Sequence, residues 1–194
     1  SQADRKQSSS SVVSNIERSN ASVKGNVFVV KGVFTLKNAL VKDNIAVASA
    51  PIRVQGGQLT AIDTTFQGNQ STKGNAGAIY TDGTAGSTLL IDGCTFKENV
   101  AGASGGISIE NTFDANTIKN TKFSDNQAKA GGAVNMISKA YLNIANCEFS
   151  GNVTTDTTVT DSKCGYGDIR LGDNAAGGAI RISGKIIADI YMNQ

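Results

Sequence analysis

Few side chains in this sequence are equipped to do chemistry. Histidine is absent, which removes the commonest general base near neutral pH and the commonest metal ligand. What remains is a set of aspartates, Asp63, Asp82, Asp92, Asp114, Asp156, Asp161, Asp168 and Asp173, and three cysteines, Cys94, Cys147 and Cys164. Two carboxylates across a cleft would suit glycoside hydrolysis, and acids holding Ca²⁺ beside an Arg or Lys would suit a polysaccharide lyase. Asp63 and Asp92 form the best pair by spacing, expected close to equivalent positions of successive repeats, beside turns where Asp is also a routine solvated residue. The acids of "DSKCGYGDIRLGDN" lack the close alternate spacing of a calcium loop, and no Cys-x-x-Cys or Cys/His cluster points to zinc. Neither a metal nor a cofactor is expected.

These residues are carried by a repeat. "FQGN" at 66, "FKEN" at 96, "FSDN" at 123 and "FSGN" at 149 recur at 25 to 30 residues, with a degenerate "VKDN" at 41. Two positions before each anchor stand Ala39, Thr64, Cys94, Thr121 and Cys147, all small. Five before stand Leu36, Ala61, Ile91, Ile118 and Ile144. Seven before stand Phe34, Leu59, Leu89, Asn116 and Leu142, an alternation with strand period in which Asn116 is the exception. A second phrase follows each anchor: "SAPIRV" at 49, "AGAIYT" at 76, "SGGISI" at 104, "AGGAVNM" at 130 and "AGGAIRI" at 176. It reads as a glycine corner and a short strand, with Arg53, Tyr80, Asn135 and Arg181 turned to solvent.

A unit this short, with two or three strands and no helix, cannot bury its own apolar face, so copies must stack. The expectation is an all-β, right-handed parallel β-helix, a solenoid of about five to six coils spaced by the ordinary inter-strand distance. Residues 1–20 are expected as a polar N-terminal segment or cap, and 21–194 as the solenoid, with a loop insertion at 153–176 that contains Cys164. Phe66, Phe96, Phe123 and Phe149 should stack inside with offset or tilted rings. Asn44, Asn69, Asn99, Asn126 and Asn152 should form a ladder and take up the unusual backbone angles of the corner. Cys94 and Cys147, two coils apart, are too distant for a disulfide and read as small buried hydrophobes.

Net charge is +2 with Lys and Arg scattered, so no basic stripe points to nucleic acid. No apolar run is long enough to cross a bilayer, and no h-region stands at the start. The strand-like ending "IIADIYMNQ" suggests an excised piece of a larger protein.

Phe-x-x-Asn alternating with Gly-Gly-Ala-[Ile/Val/Leu] resembles the passenger domains of chlamydial polymorphic membrane proteins over roughly residues 34–184. The matching residues are Phe66, Asn69, Phe96, Asn99, Phe123, Asn126, Phe149 and Asn152, then Gly131, Gly132, Ala133 and Val134, and Gly177, Gly178, Ala179 and Ile180. "AGAI" at 76–79 lacks the first Gly of the second phrase and "GGIS" at 105–108 lacks its Ala. The resemblance implies an autotransporter adhesin displayed on a bacterial outer membrane, or secreted. It further implies a host cell-surface protein or glycan as partner, and membrane association only through parts of a parent protein outside this sequence.

Alternation makes the repeated Phe and Asn interior, so contact with a receptor falls to outward residues. Tyr80, Lys97, Glu98, Lys122, Asn135, Arg181 and, in the insertion, Tyr166 are the candidates. A β-helical carbohydrate-active enzyme and a purely structural stalk are the alternatives, since this fold houses both. Ice binding is disfavoured: Thr64 and Thr121 share a column, but it points inward and is interrupted by Cys94 and Cys147.

Overall fold

The computed structural model describes residues 2–4, 16–19, 22–24, 26–47, 49–110, 115–129, 131–136, 139–155, 168–171, 179–188 and 190–192. They form a parallel β-solenoid with three sheets. The largest has two arms. One stacks Val33–Lys37, Gln58–Ile62, Thr88–Asp92 and Ala115–Lys119; the other stacks Leu40–Lys42, Thr65–Gln67, Thr95–Lys97 and Lys122–Ser124. Tyr141–Ser150 runs through both arms and joins them. A five-stranded sheet runs from Ile45–Ala46 to Val153–Thr154, and a seven-stranded sheet from Val27–Val30 to Ile190–Met192.

Four successive coils, 33–55, 58–81, 88–109 and 115–136, carry all four strands. A fifth, 141–171, merges its first two, and incomplete coils flank this series. The expected five to six coils thus resolve into four complete ones with partial neighbours.

Register follows the sequence columns. Phe66 pairs with Val41 and Phe96, and Phe123 with Phe96 and Phe149. Leu36, Leu59, Ile91, Ile118 and Ile144 line the interior with Ile52, Ile79, Ile107 and Val134 from the seven-stranded sheet. Every coil contributes apolar side chains from several sides, so burial of that surface, at roughly 25 cal/mol per Å², requires the neighbouring coils to be in place.

The corner chemistry differs from the expectation in one respect. The left-handed residue is the one before the ladder Asn: Asp43, Gly68, Glu98, Asp125 and Gly151 have φ between 55° and 64°. The amide of each ladder Asn is thereby aimed inward while its predecessor makes the bend. A second left-handed column, Asn38, Asp63, Gly93, Asn120 and Asn146, turns the chain between the two arms. Glu98 is the member without a small or amide-type side chain, at φ 58°. Glu98→Gly is expected to raise stability by about 0.5–1 kcal/mol, because glycine relieves the Cβ clash and the exposed pairing with Lys97 contributes little. Urea denaturation checks this; a loss of stability would mean the Glu98 side chain contributes more than its backbone strain costs.

Among its described residues, the stretch 153–176, expected as one insertion, holds two strands, Val153–Thr154 and Ile169–Leu171. Ile169–Leu171 pairs with Val134–Met136 and so completes the fifth coil. Ala179–Ile187 then opens the next coil, paired with Tyr141–Ser150. Ala179 and Ile180 are therefore no structural equivalents of Ala133 and Val134. The alternation of Ile169 and Leu171 around Arg170 was the signal for the strand that the repeated glycine phrase obscured.

Candidate functional site

The Phe and Asn of the repeat lie inside. Ring centroids are 4.5 Å apart for Phe66 and Phe96, 4.8 Å for Phe96 and Phe123, and 4.9 Å for Phe123 and Phe149. Their planes differ by 2° to 12°, so of the two expected arrangements, offset or tilted, the tilted one is absent. Parallel in-register strands impose this spacing, which repeats one rotamer coil after coil.

The asparagine ladder is continuous. Asn44 Nδ2 donates to Asn69 Oδ1 (3.0 Å), Asn69 to Asn99 (2.9 Å), Asn99 to Asn126 (2.9 Å) and Asn126 to Asn152 (2.9 Å). The same oxygens accept the backbone N–H of the preceding ladder residue at 3.1 Å. From Asn69 onward the second amide hydrogen goes to the carbonyl of Val41, Phe66, Phe96 or Phe123. Asn152 Nδ2 also donates to Asp168 Oδ1 (2.9 Å), so an aspartate ends the ladder. Asp168 stands where the other coils place Ala78, Gly106 and Ala133.

The outward candidates divide. Lys97, Glu98 and Lys122 have side chains 44%, 50% and 66% exposed, and Arg181 is exposed. Lys122 Nζ lies 3.3 Å from Glu148 Oε2 and Lys97 Nζ 3.7 Å from Glu98 Oε1. Tyr80 and Asn135, expected in solvent, are buried at 7% and 2% exposure. Corner residues before these strands lie over the outer face of the sheet: Tyr80 packs against Ala50 and Ala76. Gly131 lies so near Asn135 that a Cβ on it would fall 3.1 Å from the Asn135 Cβ. Of the phrase at 131–134, all four residues are buried. Tyr166, Gly177, Gly178 and Cys164 fall outside the described residues, as do Asp114, Asp156, Asp161 and Asp173.

Asp63 and Asp92 are not equivalent: Asp92 pairs with Ile62, and Asp63 belongs to the left-handed corner column. Asp92 is engaged by Lys119 (3.5 Å) and by the Asn120 amide (2.8 Å). A different acid pair occupies matched positions, Asp82 and Glu110, one coil apart beyond Thr81 and Ile109. Arg53 donates through Nε (3.2 Å) and Nη2 (2.9 Å) to Asp82 Oδ2 and lies 5.9 Å from the centre of the Tyr80 ring. The Tyr80 hydroxyl donates to Glu110. Burial first, and then that bond to Glu110, push the Tyr80 hydroxyl above the ordinary phenol range. Arg53, Tyr80, Asp82 and Glu110 thus lock three coils together through one another. Glu110 was missed by the sequence reading because it stands just past the strand; its place one coil after Asp82 was the available signal.

Among the described residues no group of three or more His, Cys, Asp or Glu side chains could hold a metal. Cys94 and Cys147 are buried free thiols directed at the carbonyls of Ala61 (3.3 Å) and Ile118 (3.6 Å). Burial raises both, Cys94 to about 12 from 9.0. Both are expected to stay unmodified by a thiol reagent at neutral pH until the protein unfolds, with the labelled sites located by peptide mapping. The unfolded chain releases these protons first. The stability contributed by Cys94 is therefore intact below about pH 9 and is lost as the pH climbs toward 12.

Stacked parallel strands and in-register aromatic and amide columns define the class, a right-handed parallel β-solenoid. The chain belongs to the family described as right handed beta helix region, which matches residues 50–177. No curated protein and no solved structure matches it significantly.

Proposed function

We propose that this solenoid is a non-catalytic passenger segment of a surface-displayed bacterial adhesin that attaches to host cells through its outer columns. The observation carrying this reading is the division of labour across each coil. The repeated Phe, Asn and Cys are consumed by inter-coil packing, whereas Lys97, Glu98, Lys122 and Arg181 project from a regular scaffold. The Phe-x-x-Asn and Gly-Gly-Ala phrases, like those of chlamydial polymorphic membrane protein passengers, support it, and so does the absorption of Asp82, Asp92 and Asp168 into structural pairs.

Fluorescently labelled protein should bind cultured epithelial cells saturably, and excess unlabelled protein should displace it. Folded protein that fails to bind would sink the adhesin and leave a stalk. The matched carboxylates of Asp82 and Glu110 beside Arg53 and Tyr80 favour a second reading, a carbohydrate-active enzyme. Turnover of a polysaccharide that is lost in Glu110→Gln would establish that reading instead.

A further inference from the structure

The outer face of the five-stranded sheet carries apolar side chains that the solenoid core does not use. Its strands bring one outward residue from each coil into a single column, Ile45, Gln70, Val100, Gln127 and Val153, in register. Ile45 is 65% exposed, Val100 38% and Val153 48%, with Val47 beside the column at 69%. Gln70 and Gln127 are exposed between them, and their side chains form no hydrogen bond among the described residues. The inward neighbours Ala46, Ser71 and Ala128 are buried, so the other face of this sheet already meets the demands of packing. Scattered single hydrophobes would need no account, but these recur every second coil along a line about 19 Å tall.

Opposite charges flank the column on one coil. Asp125, Gln127 and Lys129 are exposed while Asn126 and Ala128 between them are buried, so the three share the outer face. Asp125 stands one outer place before the column and Lys129 one after it, and neither forms an ion pair among the described residues. A two-fold axis laid on the column parallel to the solenoid reverses strand direction and keeps every coil at its own height. It sets Ile45, Val100 and Val153 against their own copies and each Gln amide against its like, donor to acceptor. The same rotation brings Lys129 of each copy onto Asp125 of the other. A two-fold axis along the strands would instead oppose Glu98 to Glu98 and leave Lys129 facing Thr72, so the charges select the first arrangement.

We infer that this face is the contact through which two copies of the chain associate side by side, their solenoid axes parallel and pointing the same way. A glycan would find no aromatic platform in the column, and a strongly charged partner would find a face carrying both signs. Three outer columns over five coils make a contact of roughly 300 Å² per copy, well below the roughly 800 Å² of a standard interface. The pair is therefore weak and reversible. The inference goes beyond the attachment reading above and does not depend on it.

The test uses the full 194-residue chain with Cys164→Ser, so that Cys164 adds no crosslink. Sedimentation equilibrium at concentrations up to about 1 mM should show a reversible dimer. Val100→Lys sets two cations against each other on the axis and should weaken the dimer at least about tenfold, with unchanged circular dichroism. Lys129→Asp should weaken it too, and adding Asp125→Lys should restore it, a rescue that a fold defect would not give. Ile45→Cys should be joined to its own copy by a short bismaleimide. A monomer at every concentration, or a dimer indifferent to Val100→Lys, overturns the inference. So does Ile45→Cys that links only to Val153→Cys in a mixture of the two, which would mean inverted coils. Cell attachment lost in Val100→Lys by protein that does not self-associate gives the face to a host partner and likewise overturns it.

Discussion

Asn126→Ala is expected to lower the free energy of unfolding by about 3–5 kcal/mol, several times the loss from any outward residue. The size follows from what one amide satisfies. Asn126 Oδ1 accepts from the backbone N–H of Asn99 (3.1 Å) and from the Asn99 amide (2.9 Å), while its own Nδ2 reaches Phe96 O (3.0 Å) and Asn152 Oδ1 (2.9 Å). Alanine leaves a buried N–H and a buried carbonyl without these partners in a place no water reaches, each costing about 1–3 kcal/mol. Asn44→Ala, which removes a donor from Asn69 but leaves the later rungs paired, should cost less. Lys122→Ala breaks only an exposed ion pair and should stay within about 1 kcal/mol. Guanidinium melts of the three variants rank them. Similar losses from Asn126→Ala and Lys122→Ala would mean that the ladder contributes no more than a surface pair.

The interior was legible because its signal is geometric. Columns two, five and seven residues before each Phe can stack only if the chain returns to the same place each coil, so Phe66, Cys94, Ile91 and Asn99 found their neighbours from spacing alone. The outer face was less legible. Alternation gives the side of a strand on which a residue stands, and Tyr80 and Asn135 do stand on the outer side. Whether that side is wet depends on where the preceding corner goes, a tertiary fact that no two-residue period encodes.

Phrase matching also failed where local chemistry differed. "DIRL" at 168–171 stands where "AVNM" at 133–136 stands one coil earlier, with Asp168 in place of Ala133, while Ala179 and Ile180 pair instead with Tyr141 and Leu142. The substitution has a reason: Asp168 supplies a carboxylate for the last ladder amide, which no alanine can do. The pair Asp82 and Glu110 was hidden for a related cause, since the two residue types differ and only the register of Thr81 with Ile109 aligns them. Among the described residues, Asp168 ends the ladder, Asp92 is engaged by Lys119 and Asn120, and Asp82 and Glu110 clamp neighbouring coils.

Gly105→Ala should be the second severe change, lowering stability by at least about 3 kcal/mol, the upper part of the range for overpacking. Its φ is not left-handed; the constraint is proximity. A Cβ at this position would lie 2.1 Å from Gly132 O and 2.7 Å from Gln127 N, both backbone atoms of the next coil. Gly77 meets Gly105 O at the same 2.1 Å, so the glycine corners nest one inside the next. Backbone cannot rotate away as a long side chain can, so the added methyl must lift the following coil. Lifting it stretches the bond from Gly105 N–H to Gly131 O (3.1 Å) and disturbs the Asn126 rung beside it. Gly83→Ala is the matched control, because its nearest neighbour would be Glu110 O at 3.8 Å and its φ needs no glycine. That change should be neutral or stabilise by about 0.4–1 kcal/mol through the unfolded chain. If thermal melts place the two variants together, the corner has room to relax, and the recurrence of glycine there reflects turn propensity instead of the contact between coils.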